Sequence, residues 1–343
     1  MADDEPAPRA LVIGASGHVG NAVVRELLAR GHAVTAARRG RTAAANLAGL
    51  AVAEAIGDAE HAGTLDRWVA GHELVVDAAA PYAMTITERA VIAAAARRAQ
   101  LVIDAIDRHR ARLIHIGSFV TRLGTDDAGR PREPGQRLDS VAHPYFAAKR
   151  VGEAVLVAAA RAGAPITIMQ PTTCLGPWDS RPPRMSLVPR VLLGLQPVAP
   201  SHVINVVDVR DVARAAVAAA HRGYHGEPLL VTGHNVGIPE LCGLIAELGG
   251  LGGRAARTRG VPAGIARAMS WALELAAPGA YLPPPLLSTL LALRQAPLAV
   301  SAAQRALGAA PRPLSATLRD AISWHRERGV ANDGHARRSS RAL

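Results

Sequence analysis

The chain has 343 residues, 49% hydrophobic and 20% charged, so it is long enough for one large or two modest domains and too apolar to be disordered throughout. The formal net charge is +11, but the arginines are spread along the chain and no basic stripe is interleaved with aromatic residues, which argues against nucleic-acid binding. Two distant cysteines and histidines without metal-ligand spacing indicate neither a disulfide framework nor a metal site.

Apolar runs alternate with helical periodicity through the first half of the chain. The run Ala10–Ile13 ends in glycine and predicts a buried parallel strand, and a helix follows from about 18 to 30. Further strands are predicted at 32–37, 51–56, 74–78, 101–105, 113–116 and 166–170, with helices at 87–99 and 147–162. This alternation predicts an α/β fold with a Rossmann-type doubly wound parallel sheet.

After Pro171 the composition changes. Proline becomes frequent, helices dominate, and the predicted strands at 203–207 and 229–231 are short. We therefore expect a smaller, mostly helical C-terminal lobe that binds substrate at the carboxyl edge of the sheet. The predicted divisions are a disordered N-terminus (1–8), the sheet domain (9–172, rejoined by 203–220), the lobe (173–330) and a basic disordered tail (331–343).

The first strand runs into the sequence Gly14–Gly20, a GxxGxxG pattern between a strand and a helix. Glycines in this place let the backbone approach a pyrophosphate at the helix N-terminus. Arg38 ends the second strand and could accept a 2′-phosphate, which favours NADP(H) over NAD(H). Asp58 follows the third strand, where its carboxylate could accept a hydrogen bond from adenine or only cap a turn.

Lys149 is the only lysine in a chain that uses arginine for every other basic side chain, and it follows Tyr145 by four residues. The two side chains share one helix face, so the ammonium can lower the tyrosine pKa from about 10 toward neutrality. Ser118 follows another strand and could hold a carbonyl oxygen by a hydrogen bond. These residues predict acid–base chemistry at the carboxyl edge of the sheet.

The ordered motifs resemble those of the extended short-chain dehydrogenase/reductase superfamily along nearly the whole chain. They are Gly14–Gly20, Gly57-Asp58, 75–80, 115–118, Pro144-Tyr145 to Lys149 with Glu153, 170–177, 205–213 and 307–324. The resemblance implies that Tyr145 donates a proton while hydride moves from the nicotinamide. It further implies that Lys149 also holds the nicotinamide ribose and that Ser118 orients the carbonyl.

The resemblance also implies a set of cofactor-binding residues, namely Gly14, Ser16, Gly17, His18, Val19, Gly20, Arg38, Asp58, Ala79, Lys149, Pro171 and Thr173. Two positions depart from the family pattern. Only one hydroxyl residue follows the strand, and an extra residue precedes Gly124, so Thr121 remains an alternative for the serine role. Asp77 stands where a histidine is common, which puts a role for its side chain in doubt.

The second lobe decides between branches of the superfamily. Thr173 and Ile204-Asn205 replace the asparagine and the Arg-Asp pair that help nucleotide-sugar enzymes bind their substrate, although arginines could substitute (Arg181, Arg184 and Arg190). The apolar segment 265–293 suits either an apolar ligand or ordinary helix packing. The chain looks most like the branch containing dihydroflavonol reductases, 3-beta-hydroxysteroid-type dehydrogenases and bacterial ketoreductases.

The leading hypothesis is an NAD(P)(H)-dependent oxidoreductase acting on a carbonyl or alcohol of a small apolar metabolite, such as a polyketide, quinone, sterol or terpenoid compound. The alternatives are a nucleotide-sugar epimerase or dehydratase and a non-catalytic NADP(H)-binding regulator. The short acidic N-terminus and the cysteine usage predict a cytoplasmic protein, and the apolar segment 261–300 predicts at most peripheral membrane contact. A homodimer is usual for the superfamily, and no metal is expected.

Overall fold

A computed structural model of the chain describes residues 8–40, 45–79, 87–122, 143–252, 258–276 and 285–330. They form two compact units. The first takes its described residues from 1–172, 209–231 and 300–310, and the second from 173–208, 232–299 and 311–343. The predicted terminal segments lie outside the described residues, apart from Pro8.

The strands, in chain order, are β1 (Ala10–Ile13), β2 (Val34–Arg38), β3 (Val52–Ile56), β4 (Leu74–Asp77), β5 (Arg112–Ile116), β6 (Ile166–Pro171), β7 (Thr173–Leu175), β8 (Val198–Pro200), β9 (Val203–Asp208), β10 (Leu229–Val231), β11 (His234–Gly237) and β12 (Arg259–Val261). The helices are α1 (His18–Ala29), α2 (Ala62–Val69), α3 (Ala90–His109), α4 (Pro144–Arg161), α5 (Leu187–Leu192), α6 (Val209–His221), α7 (Ile238–Leu248), α8 (Ala263–Ala276), α9 (Pro285–Leu293), α10 (Ala302–Ala306) and α11 (Leu314–Glu327). Two short 3-10 helices cover Phe119–Arg122 and Pro183–Met185.

The first unit is built on a seven-stranded parallel sheet in the order β10-β6-β5-β4-β1-β2-β3. Alternate strand residues such as Leu11, Val75 and Ile166 share one apolar cluster with side chains of α2, α3 and α4. The residues between them, such as Val12 and Val76, are also fully buried. Because both faces of the central strands are covered, these strands read as continuous apolar runs. The predicted Rossmann-type doubly wound fold is confirmed.

The predicted strand at 101–105 is wrong, because these residues lie inside the long helix α3. The run of leucine, valine and isoleucine there matches a buried strand as well as a helix. Helical spacing nevertheless continues through it, since Ala95, Ala99, Val102 and Ile106 are all buried against the sheet. The helix begins three residues later than predicted and ends ten residues later.

The second unit contains a three-stranded sheet in the order β11-β9-β7 and a two-stranded pair of β12 with β8. Its core is formed by side chains of α5, α7 and α11 against β9, including Val191, Leu241, Ile245 and Leu318. Helices α8 and α9 pack on each other, and the hydroxyls of Ser270 and Thr289 lie 2.8 Å apart between them. In the described part of the chain, none of the helices is both long and apolar enough to cross a bilayer.

The return of the chain to the first unit begins at Val209 rather than at residue 203. Strand β9 belongs to the second unit, where it pairs with β7 and β11. Strand β10, predicted within the lobe, instead pairs with β6 at the edge of the main sheet.

Candidate active site

The turn between β1 and α1 has the backbone that a dinucleotide-binding loop requires. Gly14 has φ +82°, and a Cβ there would lie 3.0 Å from both the Cβ and the backbone nitrogen of Ala79. A side chain at Gly20 would collide with the backbone of Gly14, because α1 packs closely on the end of β1. Both positions therefore require glycine. His18 and Val19 are half-buried and begin α1.

Two asparagines hold this turn. Asn21 Nδ2 donates to the backbone oxygen of Asn46 at 2.9 Å, and Asn46 Nδ2 donates to the backbone oxygen of Ser16 at 3.2 Å. Gly17 is the N-cap of α1 and offers no side chain to the amides of the first turn. Amides at a helix N-terminus bind phosphate well, so the residues present fit the pyrophosphate of a dinucleotide.

The two residues predicted to contact the adenosine half lie at strand ends. Arg38 ends β2, and its Nε donates to Glu54 Oε2 on β3 at 2.7 Å. Asp58 is exposed, and its Oδ1 accepts from the backbone nitrogen of Glu60 at 3.0 Å. This is the turn-capping arrangement that the sequence left open. The cofactor roles of Arg38 and Asp58 stay predictions.

Helix α4 begins immediately before Tyr145. Pro144 occupies its first turn, and His143 caps it by accepting a hydrogen bond from the backbone nitrogen of Tyr145 at 3.2 Å. Tyr145 is only 6% exposed and lies edge-on to Phe146, with ring centroids 5.5 Å apart. Lys149 follows one turn later, on the helix face that carries Tyr145.

Lys149 lines a small cavity of about 40 Å³ together with Asp77, Arg98, His115 and Glu153. Arg98 Nη2 donates to Asp77 Oδ1 at 2.7 Å, and His115 Nδ1 lies 3.4 Å from Asp77 Oδ2. Burial alone would raise the pKa of Asp77, but the charge and hydrogen bond of Arg98 and the nearby His115 ring outweigh it and hold the pKa at about 2. Asp77 is therefore a carboxylate at neutral pH.

The other two ionisable groups of this cavity are shifted in opposite directions. Burial lowers the pKa of Lys149, while the nearby carboxyl groups of Asp77 and Glu153 oppose that shift. Burial also raises the pKa of Glu153, against a hydrogen bond from Gln170 that favours its charged form. The ammonium of Lys149 is thus surrounded by groups that set its charge and position.

Ser118 lies just after β5 and is half-buried. Thr121 Oγ1 donates to the backbone oxygen of Ser118 at 2.9 Å, and Gln170 Nε2 donates to Thr121 Oγ1 at 2.7 Å and to Glu153 Oε1 at 2.5 Å. The Thr121 hydroxyl is therefore engaged in holding this turn. Ser118 Oγ accepts a 3.4 Å contact from the backbone nitrogen of Val120.

The remaining predicted residues lie on either side of the division between the units. Pro171 ends β6 in the first unit, and Thr173 begins β7 in the second, where its Oγ1 accepts from Gln295 Nε2 at 3.1 Å. Cys174 and Cys242 are free thiols, and burial raises the pKa of Cys174 to about 12. Across the described ranges there is no group of three or more histidine, cysteine or acidic side chains placed to hold a metal.

The second unit contains a partly open cavity of about 680 Å³. Apolar side chains predominate in its lining, among them Leu187, Val198, Ile204, Val261, Met269 and Leu273. Met269 and Leu273 come from α8, and further lining residues come from α9, so the apolar segment packs as helices and also lines this cavity. That it binds a ligand stays a prediction. The size is within the range of small-molecule pockets.

Sequence reasoning missed Arg98 and His115. Arg98 is 5% exposed on the face of α3 that packs against the sheet, and its Nη1 donates to the backbone oxygen of Ala79 at 2.5 Å. An arginine among the buried alanines of an otherwise apolar helix face was the available signal, because a charge is buried only with a partner. The second signal was Asp77, an acidic residue where a histidine is common in the family and a possible partner for a buried arginine.

Comparison with known proteins agrees with this geometry. The profile of the NAD dependent epimerase/dehydratase family matches residues 10–232. Sterol demethylase protein B of Methylococcus capsulatus is 32% identical over 254 residues, covering 70% of this chain and 74% of that protein. A putative dihydroflavonol 4-reductase of Synechocystis is 26% identical over 328 residues, covering 93% and 94% of the two chains.

A solved structure shows a likeness over almost the whole chain as well. A nucleoside-diphosphate-sugar epimerase from Pseudomonas aeruginosa has 25% sequence identity and a TM-score of 0.74, covering 94% of this chain and 99% of the other. The resemblance to extended short-chain dehydrogenases and reductases is confirmed. The chain therefore belongs to the NAD dependent epimerase/dehydratase family of NAD(P)-binding oxidoreductases.

Proposed function

We propose that the protein reduces a carbonyl group, or oxidises the corresponding secondary alcohol, of a small and largely apolar metabolite with a nicotinamide dinucleotide. The observation that carries this proposal is the apolar cavity of about 680 Å³ in the second unit. Burial of an apolar ligand against apolar walls is favourable by roughly 25 cal/mol for each Å² of apolar surface removed from water. The printed names of the two relatives, a sterol demethylase protein and a putative dihydroflavonol 4-reductase, support the same substrate class.

The chemistry is assigned to the N-terminal turns of α4 and the turn after β5. When bound, the dinucleotide supplies or accepts the hydride. Tyr145 gives the proton to the carbonyl oxygen in the direction of reduction, and Ser118 hydrogen-bonds that oxygen. Once Tyr145 has given up its proton, Lys149 stabilises the resulting phenolate, because a positive charge one helical turn away favours the anion. The carboxylate of Asp77 in the cavity that Lys149 lines supports the charged form of that ammonium.

The first test measures oxidation of NADPH and NADH over a panel of apolar ketones, quinones and aldehydes, with Tyr145→Phe beside the natural protein. Loss of the general acid is expected to lower kcat about 10²- to 10⁴-fold. Tyr224→Phe is the matched control, because it removes a phenol hydroxyl from another part of the first unit. If Tyr145→Phe matches the natural protein on every substrate, the assigned chemistry is wrong and a cofactor-binding regulator becomes the better interpretation.

A nucleotide-sugar epimerase or dehydratase is the second candidate. It is supported by the epimerase from Pseudomonas aeruginosa and by Arg181 and Arg190 in the cavity lining. Incubation with UDP-glucose and analysis of the recovered sugar separates the two candidates. Isomer exchange or dehydration without net change in the cofactor would replace the proposed reduction.

The proposed cofactor preference is NADP(H), with Arg38 as the cation for the 2′-phosphate. Its hydrogen bond to Glu54 holds the guanidinium at the end of β2. Arg38→Asp is expected to raise KM for NADPH at least about 10-fold and to leave KM for NADH nearly unchanged, because one charge-assisted pair contributes roughly 1.5–3 kcal/mol. Glu54→Gln is the control and should keep the preference for NADPH. Equal cofactor affinities in Arg38→Asp and the natural protein would show that the phosphate site lies elsewhere.

A further inference from the structure

The large cavity of the second unit carries positive charge. Two arginines, Arg181 and Arg190, contribute to its lining, whereas no aspartate or glutamate of the described residues does so. An arginine stays protonated at any pH that the protein tolerates, so a guanidinium beside apolar walls needs an anion. The question is therefore which of these two charges already has a partner within the protein.

Arg181 is neutralised by its own loop. Its Nε and Nη2 donate to the two carboxylate oxygens of Asp179 at 2.7 and 2.6 Å, which is a bidentate pair. Asp179 is 6% exposed and also accepts from Ser186 Oγ at 2.5 Å. The charge of Arg181 is thus committed to a structural contact at the edge of the cavity.

Among the described residues, no carboxylate pairs with Arg190 in this way. In helix α5, Val188, Val191 and Leu192 are buried in the apolar core of the second unit. Leu187 and Arg190 are three residues apart, and both line the cavity.

Within the described ranges, the side chain of Arg190 makes neither a hydrogen bond nor an ion pair. Burial lowers the pKa of Arg190, and the nearby Cys242 opposes that shift, so the charged guanidinium is partly removed from water. A partly desolvated cation without a carboxylate partner is a destabilising arrangement, and proteins retain such arrangements where a ligand completes them.

We infer that the ligand of this cavity is an apolar acid, whose carboxylate pairs with Arg190 while its hydrocarbon body lies against the apolar walls. The guanidinium fork matches a carboxylate with two parallel hydrogen bonds. A nucleoside diphosphate would present two charges and several hydroxyls to a lining in which apolar side chains outnumber polar ones. The inference rests on the assignment of this cavity to the substrate in the proposed function.

Binding of two matched fluorescent probes tests the inference without any turnover. 1-Pyrenebutyrate and 1-pyrenebutanol share one apolar body and differ in the carboxylate. At pH 7.5 the natural protein is expected to bind the acid about 10- to 100-fold more tightly than the alcohol, the range for a charge-assisted pair. Arg190→Gln should remove this preference and leave the affinity for the alcohol within about threefold.

Two further variants serve as controls. Arg319→Gln removes an arginine from the exposed surface of α11 in the same unit and should keep the preference, so it controls for net charge. Arg190→Lys keeps the charge without the fork and should retain an intermediate preference, which also shows that position 190 tolerates substitution. Thermal unfolding of each variant, compared with the natural protein, identifies any loss of the fold.

Equal affinities for the acid and the alcohol in the natural protein would overturn the inference, as would a preference that survives in Arg190→Gln. It would also be overturned if UDP-glucose bound more tightly than 1-pyrenebutyrate and lost that affinity in Arg190→Gln, because the anion would then be a nucleotide phosphate. Failure of the proposed reduction gives a different pattern. In that case no ketone is turned over with NADPH, while the Arg190-dependent preference for the acid persists.

Discussion

Lys149 is held in a setting that its sequence position only partly reveals. Its spacing from Tyr145 could be predicted because both residues lie on one helix, where a separation of four places side chains together. The acidic groups near Lys149 could not be predicted in this way, since Asp77 comes from β4 and lies far from Lys149 in the chain. Only the folded sheet brings Asp77, Arg98 and His115 under one helix face.

The residue-scale prediction concerns the identity of the cation at position 149. Lys149→Arg is expected to lower kcat at least about 10-fold even though the charge is kept, because the broad guanidinium plane does not fit the place of a compact ammonium in a cavity of about 40 Å³. Arg150→Lys, the reverse exchange at the next residue of α4, is the control and should change kcat little. Steady-state kinetics on one substrate of the panel are the measurement. A fully active Lys149→Arg would mean that charge alone suffices.

At the scale of elements, the Asp77–Arg98 pair joins the end of β4 to the middle of α3. The misassigned strand at 101–105 shows why this connection was hidden. With α3 divided into a short helix and a strand, Arg98 would stand at a helix end, where an arginine is ordinary. In the continuous helix it stands on the buried face, and its partner must come from the sheet.

This connection predicts how stability depends on pH. The folded-state pKa of Asp77 is about 2, below its ordinary value of 3.8, so its contribution is present above about pH 4 and is lost as the pH falls through 2. The shift corresponds to about 2 kcal/mol of unfolding free energy. Urea unfolding between pH 5 and pH 2 should show this loss in the natural protein and not in Asp77→Asn. Parallel pH dependences in the two proteins would contradict the assigned pKa.

On the scale of the whole molecule, the fold class follows from strand and helix alternation, whereas the path of the chain between the units does not. The change in composition near Pro171 is visible because proline and helix density rise there. The first return was predicted from 203 and begins at 209, whereas the return at 300 was not predicted, because α10 has the alanine-rich composition of any packed helix. The sequence of the short strand β10 does not indicate which sheet it joins, since its partner β6 is distant in the chain.

Residues that complete each unit stand late in the chain. In the first unit, β10 pairs with the edge strand β6 only after some sixty further residues of chain. The later helix α10 also belongs to this unit, and the backbone oxygen of its Ala306 accepts a hydrogen bond from Arg222. Helix α11, which closes the core of the second unit, is the last described helix. During synthesis, the edge of β6 therefore stays unpaired until β10 has emerged from the ribosome. Pairings between distant segments also form slowly. The two units reach completion at nearly the same moment of synthesis, as α10 and α11 emerge one after the other.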